Sequence, residues 1–379
     1  MHPGSELAVI GNNWFPDKPG GLDRYVYELV HTFAKSGDKV DLLGIGLPSI
    51  SPMPSVKLVN LANPDTSLWG RLYSAYKKSR AIYFANPSAI NIHFALYGLA
   101  ALPHLPPNAS VTCTFHGPWA IESQKEGDGK FTVWLKQQME QRVYSRCDRF
   151  IVLSKAFGQV LHQEYKISWD KIHIIPGGVD TQRFQNNLTR NQAREKLGWP
   201  QDRFIMFTPR RLVHRMGLDK LLSAIAQLKT GKHDLWLAIA GKGLLREALE
   251  QQSTELSLNN FVKFLGFLPD QDLPIAYQAA DLTIMPSQSL EGFGLVLLES
   301  LASGTPVICT PVGGMPEVIT DFSPELITAS PNEQAIATTL EAILTDKIQL
   351  PDRDACRDYA TTRFSWPDIA GRVKQVLLQ

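Results

Sequence analysis

The sequence predicts an α/β protein built from two Rossmann-like halves, each a doubly wound parallel sheet. Three observations carry this. Short apolar runs alternate with helical patterns along most of the chain, the rhythm of strand–helix–strand units. At 379 residues the chain suits two ordinary domains better than one very large one. Near residue 180 the pattern lapses, and a second strand-first series opens at Phe204.

Taken in order, Leu7–Ile10 reads as the first strand, followed by a long loop over 11–21 and a helix from Leu22 to Ser36. A long glycine-containing loop at a strand's carboxyl end is where α/β sheets bind ligands. Further strands are expected at Lys39–Leu43, Ala89–His93, Ser110–Phe115, Arg149–Leu153 and His173–Ile175. The stretch Pro176–Phe184 has no sustained period and marks the change of module, with the polar helix Asn191–Leu197 beyond it. Strands of the second half are expected at Phe204–Phe207, Leu235–Ala240, Phe261–Phe264, Leu282–Met285 and Val307–Cys309. The expected domains are therefore 1–180 and 181–364, with a last amphipathic segment, Trp366–Leu378, after them.

With 44% apolar and 20% charged residues the composition is globular, and a net charge of +1 argues against nucleic acid as a partner. Residues 1–180 hold 18 Lys and Arg against 15 Asp and Glu, and the remainder 20 against 22, so only local clusters matter. One such cluster is Trp69–Arg80, in which Trp69, Leu72, Tyr73 and Tyr76 share a helical face while Arg71, Lys77, Lys78 and Arg80 supply charge. The plainer and preferred reading packs the aromatic face on its own sheet; the other lays the helix on an anionic membrane surface. Four cysteines without a C-x-x-C pair suit a reduced compartment. The start Met-His-Pro-Gly-Ser-Glu lacks the basic and apolar regions of a secretory signal, and the run Ile90–Leu102 is too short to span a bilayer. A cytoplasmic protein is expected, with the membrane's inner face as an alternative place for it.

The chemistry concentrates at Glu291-Gly-Phe-Gly-Leu-Val-Leu-Leu-Glu299. Before it lies the strand-like run Asp281–Pro286, and after it Gly304 stands where a helix-ending glycine belongs. Strand, glycine turn and helix together expose backbone N–H groups at a helix N-terminus, which attracts an anion such as phosphate. Glu291 at the mouth can accept hydrogen bonds from hydroxyls, and Glu299, about 12 Å further along the axis, can reach a more distant pair. That suits a ligand with hydroxyls at both ends and phosphates between, a nucleotide sugar. A surface helix carrying two solvated glutamates explains the spacing as well. His116 ends the strand running into Thr114-Phe-His-Gly117, and Arg211 closes the strand that opens at Phe204; each sits at a carboxyl end. Arg210 is read as a solvated neighbour or an alternative to Arg211. Gly241-Lys-Gly243 is a glycine loop that close strand-to-helix packing explains as well as ligand binding does.

The Glu291–Glu299 stretch resembles the E-x7-E signature of retaining nucleotide-sugar glycosyltransferases of family four, which have the GT-B architecture. Gly20-Gly-Leu22, Thr114–Gly117, Pro176–Asp180, Arg210–Val213, Phe264–Gly266 and Gly304–Val307 fall in that family's order, so the likeness spans roughly residues 7–320. It is strongest toward bacterial envelope and exopolysaccharide glucosyltransferases. The resemblance implies two domains facing a central cleft, a C-terminal helix (365–379) that returns to the first domain, acceptor binding by 1–180 and donor binding by 181–364. It further implies transfer of glucose from UDP-glucose, with retention, to a saccharide or lipid-linked saccharide. Glu291 would hold sugar hydroxyls and steady the cationic transition state; Phe293, Gly294 and Leu295 would offer amides to sugar and phosphate; Glu299 would hold the ribose. His116 would line the donor-sugar pocket, and Gly20 and Gly21 would let backbone approach the phosphates. Arg211 would meet the charge on departing UDP. Relatives place a lysine five residues after that arginine; here the position is Met216, and Arg215 is the nearest substitute. Of two D-x-D patterns, Asp270-Gln-Asp272 reads as the start of a helix with Asp270 as N-cap, and Asp352-Arg-Asp354 likewise opens a helix, so no metal or other cofactor is expected. A UDP-sugar epimerase of similar architecture and a catalytically silent sugar-nucleotide binder remain as alternatives.

Overall fold

The structure, a computed structural model, describes residues 6–18, 20–186, 188–229 and 234–379. It contains two compact units: one comprises the chain up to Gly178 together with Trp366–Gln379, the other Val179–Ser365.

The first unit is built on seven strands, β1 (Glu6–Asn13), β2 (Lys39–Ile45), β3 (Val56–Ala62), β4 (Ala89–Ile92), β5 (Ser110–Phe115), β6 (Arg149–Val152) and β7 (Ile172–Ile174). They pair in the order β3-β2-β1-β4-β5-β6-β7, and every pairing is parallel. The apolar run Leu7–Ile10 is buried because β1 is central and covered on both faces, as parallel strands are. Two departures from the sequence reading are found in this sheet. β3 was not anticipated: it is an edge strand with a half-buried middle, so it shows neither a continuous apolar run nor clean alternation. β1 continues to Asn13, whose amide donates to the Asp23 carboxylate at 2.9 Å and extends the strand into what reads as loop.

The helix Gly21–Lys35 buries Tyr25, Val26, Leu29, Val30 and Phe33, a stripe at helical spacing. On it lies the C-terminal helix Trp366–Leu377. The Trp366 ring meets Tyr25 edge-on at 5.1 Å and occupies the space beside Gly178, where a Cβ would come within 2.6 Å of the indole. Lys374 pairs with the buried Asp38 at 2.6 Å.

The segment Trp69–Arg80 does not pack as favoured above. It forms the helix Leu68–Lys78 and opens a second, Arg80–Ala85, and in the first only Ala75 is buried. Trp69 is 73% exposed and Tyr73 61%, because Ala75 and the partly buried Leu72 take the inward positions. No helix among the described residues is long and apolar enough to cross a membrane.

The second unit has five strands, β8 (Phe204–Pro209), β9 (Leu235–Ala240), β10 (Val262–Gly266), β11 (Leu282–Met285) and β12 (Val307–Cys309), paired in parallel as β10-β9-β8-β11-β12. Both sheets are thus wound outward from a central strand, with the order reversing beside β1 in one and beside β8 in the other. The helix Arg190–Leu197 starts on a capping box of Thr189 and Gln192 and stops at left-handed Gly198. Helix Leu273–Ala279 corrects one assignment: its N-cap is Asp272, while Asp270 instead pairs with Arg183 at 2.5 Å. Helix Leu295–Ala302 corrects another, since it begins only after Gly294, at φ 85°, and a single helical turn separates its start from Glu299.

Candidate functional site

In a doubly wound sheet the strand order reverses at one point, and the loops that leave the carboxyl ends there diverge to opposite faces. In the second unit these loops follow β8 and β11, and they carry Arg210 and Arg211 on one side and Ser287 to Glu291 on the other. Successive side chains turn in opposite directions. Arg210, only 7% exposed, turns toward β11, where its Nη2 donates to both Ser287 Oγ and Glu291 Oε2. Arg211 is exposed. The expectation that Arg210 is the solvated neighbour is therefore overturned: it is the ion-pair partner of Glu291.

Burial pushes the Glu291 carboxyl upward, but Arg210, then Arg215 and the Ser287 hydroxyl, outweigh it and hold the group below its ordinary value. Arg215 donates from Nη1 to Leu290 O at 3.1 Å, and its own carbonyl accepts from the Gln288 amide at 2.8 Å. It braces the loop from both ends. Leu290 needs that bracing, because it holds a left-handed φ of 52° that a branched side chain disfavours. Met216, in the position where a cation is expected, is 5% exposed and packs as core.

Four glycines bring these loops into backbone contact. A Cβ would lie 1.8 Å from Glu291 O at Gly313, 2.0 Å from Pro286 O at Gly217, 1.9 Å from Arg210 O at Gly241 and 2.2 Å from Leu212 O at Gly243. Gly241 and Gly243 are thereby accounted for by packing. Beyond Glu291, the amides of Phe293, Gly294 and Leu295 donate to no backbone carbonyl among the described residues, as the open end of a helix requires. Glu299 lies on the same helix, buried, accepting from the Tyr277 hydroxyl at 2.8 Å.

In the first unit the adjacent strands β4 and β5 end in His93 and His116. His93 Nδ1 and His116 Nε2 are 2.9 Å apart, and the buried ring of Tyr25 lies against both. Beneath them Asn91 and Thr114 exchange hydrogen bonds across the strands. Burial lowers His116 to about 3 and His93 well below its ordinary value, so both are neutral near pH 7. Sequence reasoning singled out His116 and passed over His93, although the same signal, a histidine at a strand's carboxyl end, was present. Gly20 caps the helix that Gly21 begins; a Cβ at Gly21 would meet nothing within 4 Å, so protein packing does not require glycine there.

The remaining acids are engaged locally. Asp352 caps its helix through the Ala355 amide at 2.8 Å, and Asp354 pairs with Arg357 at 3.0 Å. Among the described residues no three His, Cys, Asp or Glu are grouped as metal ligands.

Comparison with known proteins agrees with this arrangement. Residues 189–363 match the family model described as glycosyl transferases group 1, and residues 19–183 the one described as glycosyltransferase family 4. The D-inositol 3-phosphate glycosyltransferase of Corynebacterium aurimucosum is 31% identical over 246 residues, 62% of this chain and 58% of that protein, so little more than half of the relative's length is matched. Among solved structures, sucrose-phosphate synthase from Thermosynechococcus elongatus superposes with a TM-score of 0.82 at 24% identity, covering 98% of each chain. HepE from Anabaena in complex with UDP-glucose does so with a TM-score of 0.76 at 18% identity, covering 98% of this chain and 99% of that one. With two parallel-sheet units of the GT-B type and two glycosyltransferase models that together reach from residue 19 to 363, the chain is a glycosyltransferase of group 1.

Proposed function

We propose that the protein is a retaining, metal-independent hexosyltransferase of family four that moves glucose from UDP-glucose to a saccharide or lipid-linked saccharide in envelope or exopolysaccharide synthesis. The observation that carries this reading is the switch-point loop of the second unit, where an ionised Glu291 stands beside the open amides of Phe293 to Leu295 and the arginines that follow β8. The UDP-glucose complex of HepE supports the choice of donor.

In this reading Glu291 accepts from sugar hydroxyls, Glu299 from the ribose, and the three amides meet sugar and phosphate. The bond between the anomeric carbon and the diphosphate oxygen breaks as the acceptor oxygen attacks from the same face. The acceptor's proton passes to the departing diphosphate, whose charge Arg211 and Arg215 take up. The first unit binds the acceptor, and His116, Gly20 and Gly21 at its carboxyl edge contact ligand. A neutral His116 serves there as a hydrogen-bonding group and not as a cation.

The decisive experiment follows UDP release from UDP-glucose with and without saccharide acceptors, beside a GDP-mannose control. Acceptor-dependent UDP release, with retention at the anomeric carbon and no loss in EDTA, is the expected result. An isomerised donor without transfer would identify an epimerase, and UDP binding without turnover a silent binder.

Arg211→Ala and Arg215→Ala are each expected to lower kcat/KM by about 2 to 4 kcal/mol of transition-state stabilisation. If Arg215 meets phosphate, UDP affinity falls as well; unchanged UDP affinity with reduced kcat leaves it only the bracing of the Leu290 loop. Met216→Lys, the exchange that restores the cation relatives carry, is not expected to rescue Arg215→Ala, because the side chain would enter the core.

The protein is placed in the cytoplasm, with the exposed helix Leu68–Lys78 resting on the membrane's inner face. Trp69 and Tyr73 offer interfacial aromatic rings, and Lys77 and Lys78 stand in the last turn. Binding to phosphatidylserine vesicles is expected at low salt and release near physiological salt, since each juxtamembrane cation contributes about 1 kcal/mol and is screened. Equal binding to neutral vesicles, or none at low salt, would refute the placement.

A further inference from the structure

We propose that Arg210 is a positioning residue for the transfer: it keeps Glu291 a carboxylate and occupies Oε2, so that Oε1 alone is offered to the donor. This rests on the reading of Glu291 given above.

The geometry is one-sided. Among the described residues, both hydrogen bonds to the Glu291 carboxylate, from Arg210 Nη2 and Ser287 Oγ, fall on Oε2. A single guanidinium nitrogen bridges Ser287 and Glu291, and the Ser287 carbonyl is pinned by the Thr310 hydroxyl at 2.5 Å. Arg210 cannot drift from this place, because its amide donates to Ala240 O at 2.8 Å and its carbonyl lies against the bare Cα of Gly241. Its Nε is buried without a partner among the described residues, a cost accepted where the head group's position is set by Glu291 and Ser287.

The charge argument points the same way. A buried carboxylate without a counter-ion takes up a proton. As an acid it would present an O–H and lose the negative charge that steadies a cationic sugar. The groups facing Glu291 are Arg210, Arg215, the Ser287 hydroxyl and the Cys309 thiol. Burial, and then Glu291 itself, pushes the Cys309 thiol up, so it stays neutral. Arg215 reaches the Leu290 carbonyl and acts on Glu291 only through space. Arg210 is left as the cation in direct contact. Because Arg210 is engaged by Glu291 and Ser287, charge on the departing diphosphate must be met elsewhere.

The test compares the parent with Arg210→Met, Arg210→Lys, and Arg210→Met combined with Glu291→Gln. It measures kcat/KM for UDP-glucose from pH 4 to 9, UDP affinity, and the titration of Glu291 by 13C NMR. Arg210→Met is expected to raise the acid limb and the Glu291 titration by at least about one pH unit. At pH 7 it should lower kcat/KM at least about tenfold with UDP affinity kept, and Arg210→Lys should recover part of the loss. On the Glu291→Gln background the same change should cost less than about threefold, because both residues act through one interaction. An active parent whose acid limb and Glu291 titration do not move in Arg210→Met, or a loss of equal size on both backgrounds, overturns the proposal. A parent that turns over no sugar nucleotide refutes the transferase reading and this role with it. Should Arg210→Met melt below assay temperature, Arg210→Lys, which keeps the charge, must preserve the parent's pH limb or the proposal falls.

Discussion

Glu291→Gln is expected to turn over UDP-glucose at least about 100-fold more slowly than the parent, because hydrogen bonds to a charged acceptor are worth about 1.5–3 kcal/mol each and this residue is read as making them in the transition state. The exchange keeps shape and removes charge. It also strands the buried Arg210, and breaking a buried pair by deleting one partner costs about 3–5 kcal/mol of stability. Two measurements are therefore paired: the melting temperature, which should fall, and the rate well below it, which should fall regardless. Glu299→Gln should behave differently, weakening UDP binding measured by calorimetry while sparing kcat. Equal and minor effects of both exchanges on rate and on UDP affinity would remove the assignment of two carboxylates to two ends of one donor.

Gly313→Ala should be nearly as damaging, although residue 313 carries no functional group. Its φ of 58° disfavours a side chain, and an added Cβ would stand 1.8 Å from Glu291 O and 2.8 Å from its carbonyl carbon. Backbone strain and overpacking each cost about 1–3 kcal/mol, so a loss of about 3 kcal/mol or more is expected. For a unit of this size that lowers the melting temperature by roughly 6–12 °C. Relief can come only by moving the Glu291 backbone, so donor turnover should fall with stability. Gly371→Ala is the control: it lies in the helix Trp366–Leu377 with nothing within 4 Å of its Cβ, and should be neutral or stabilising by up to about 1 kcal/mol. A Gly313→Ala protein with parental melting temperature and rate would show that the loop yields freely.

What could be read from the sequence follows burial. Ser110–Phe115, Leu235–Ala240, Leu282–Met285 and Val307–Cys309 were placed to the residue because they are buried almost throughout and carry no charged residue. β3 escaped because its half-buried middle gives it a mixed pattern. At the site, spacing located Glu291 and the glycine turn, but it could not say which of two adjacent arginines faces inward. That depends on how the chain leaves β8, and the inward one proved to be Arg210. Nor could spacing show that the helix starts only after Gly294, with one turn and not two before Glu299, since the left-handed turn at Gly294 is a backbone event with no periodic trace. The exposed aromatic face of Leu68–Lys78 was misread for a related reason: amphipathic spacing shows that a face exists, not what covers it.

The helix Trp366–Leu377 has a consequence for how this protein is made. The first unit is complete only when Trp366–Leu377 is in place, since Trp366 closes over Tyr25 and Lys374 answers the buried Asp38. A ribosome adding about 5–20 residues per second needs roughly 10–40 s to travel from Gly178 to Trp366. Throughout that interval the nascent first unit presents an uncovered aromatic surface beside the exit tunnel, while the second unit can be finished behind it. Chaperone demand should therefore last until Trp366–Leu377 has been made, and a stop codon placed just before Trp366 should harm the part of the protein that was synthesised first.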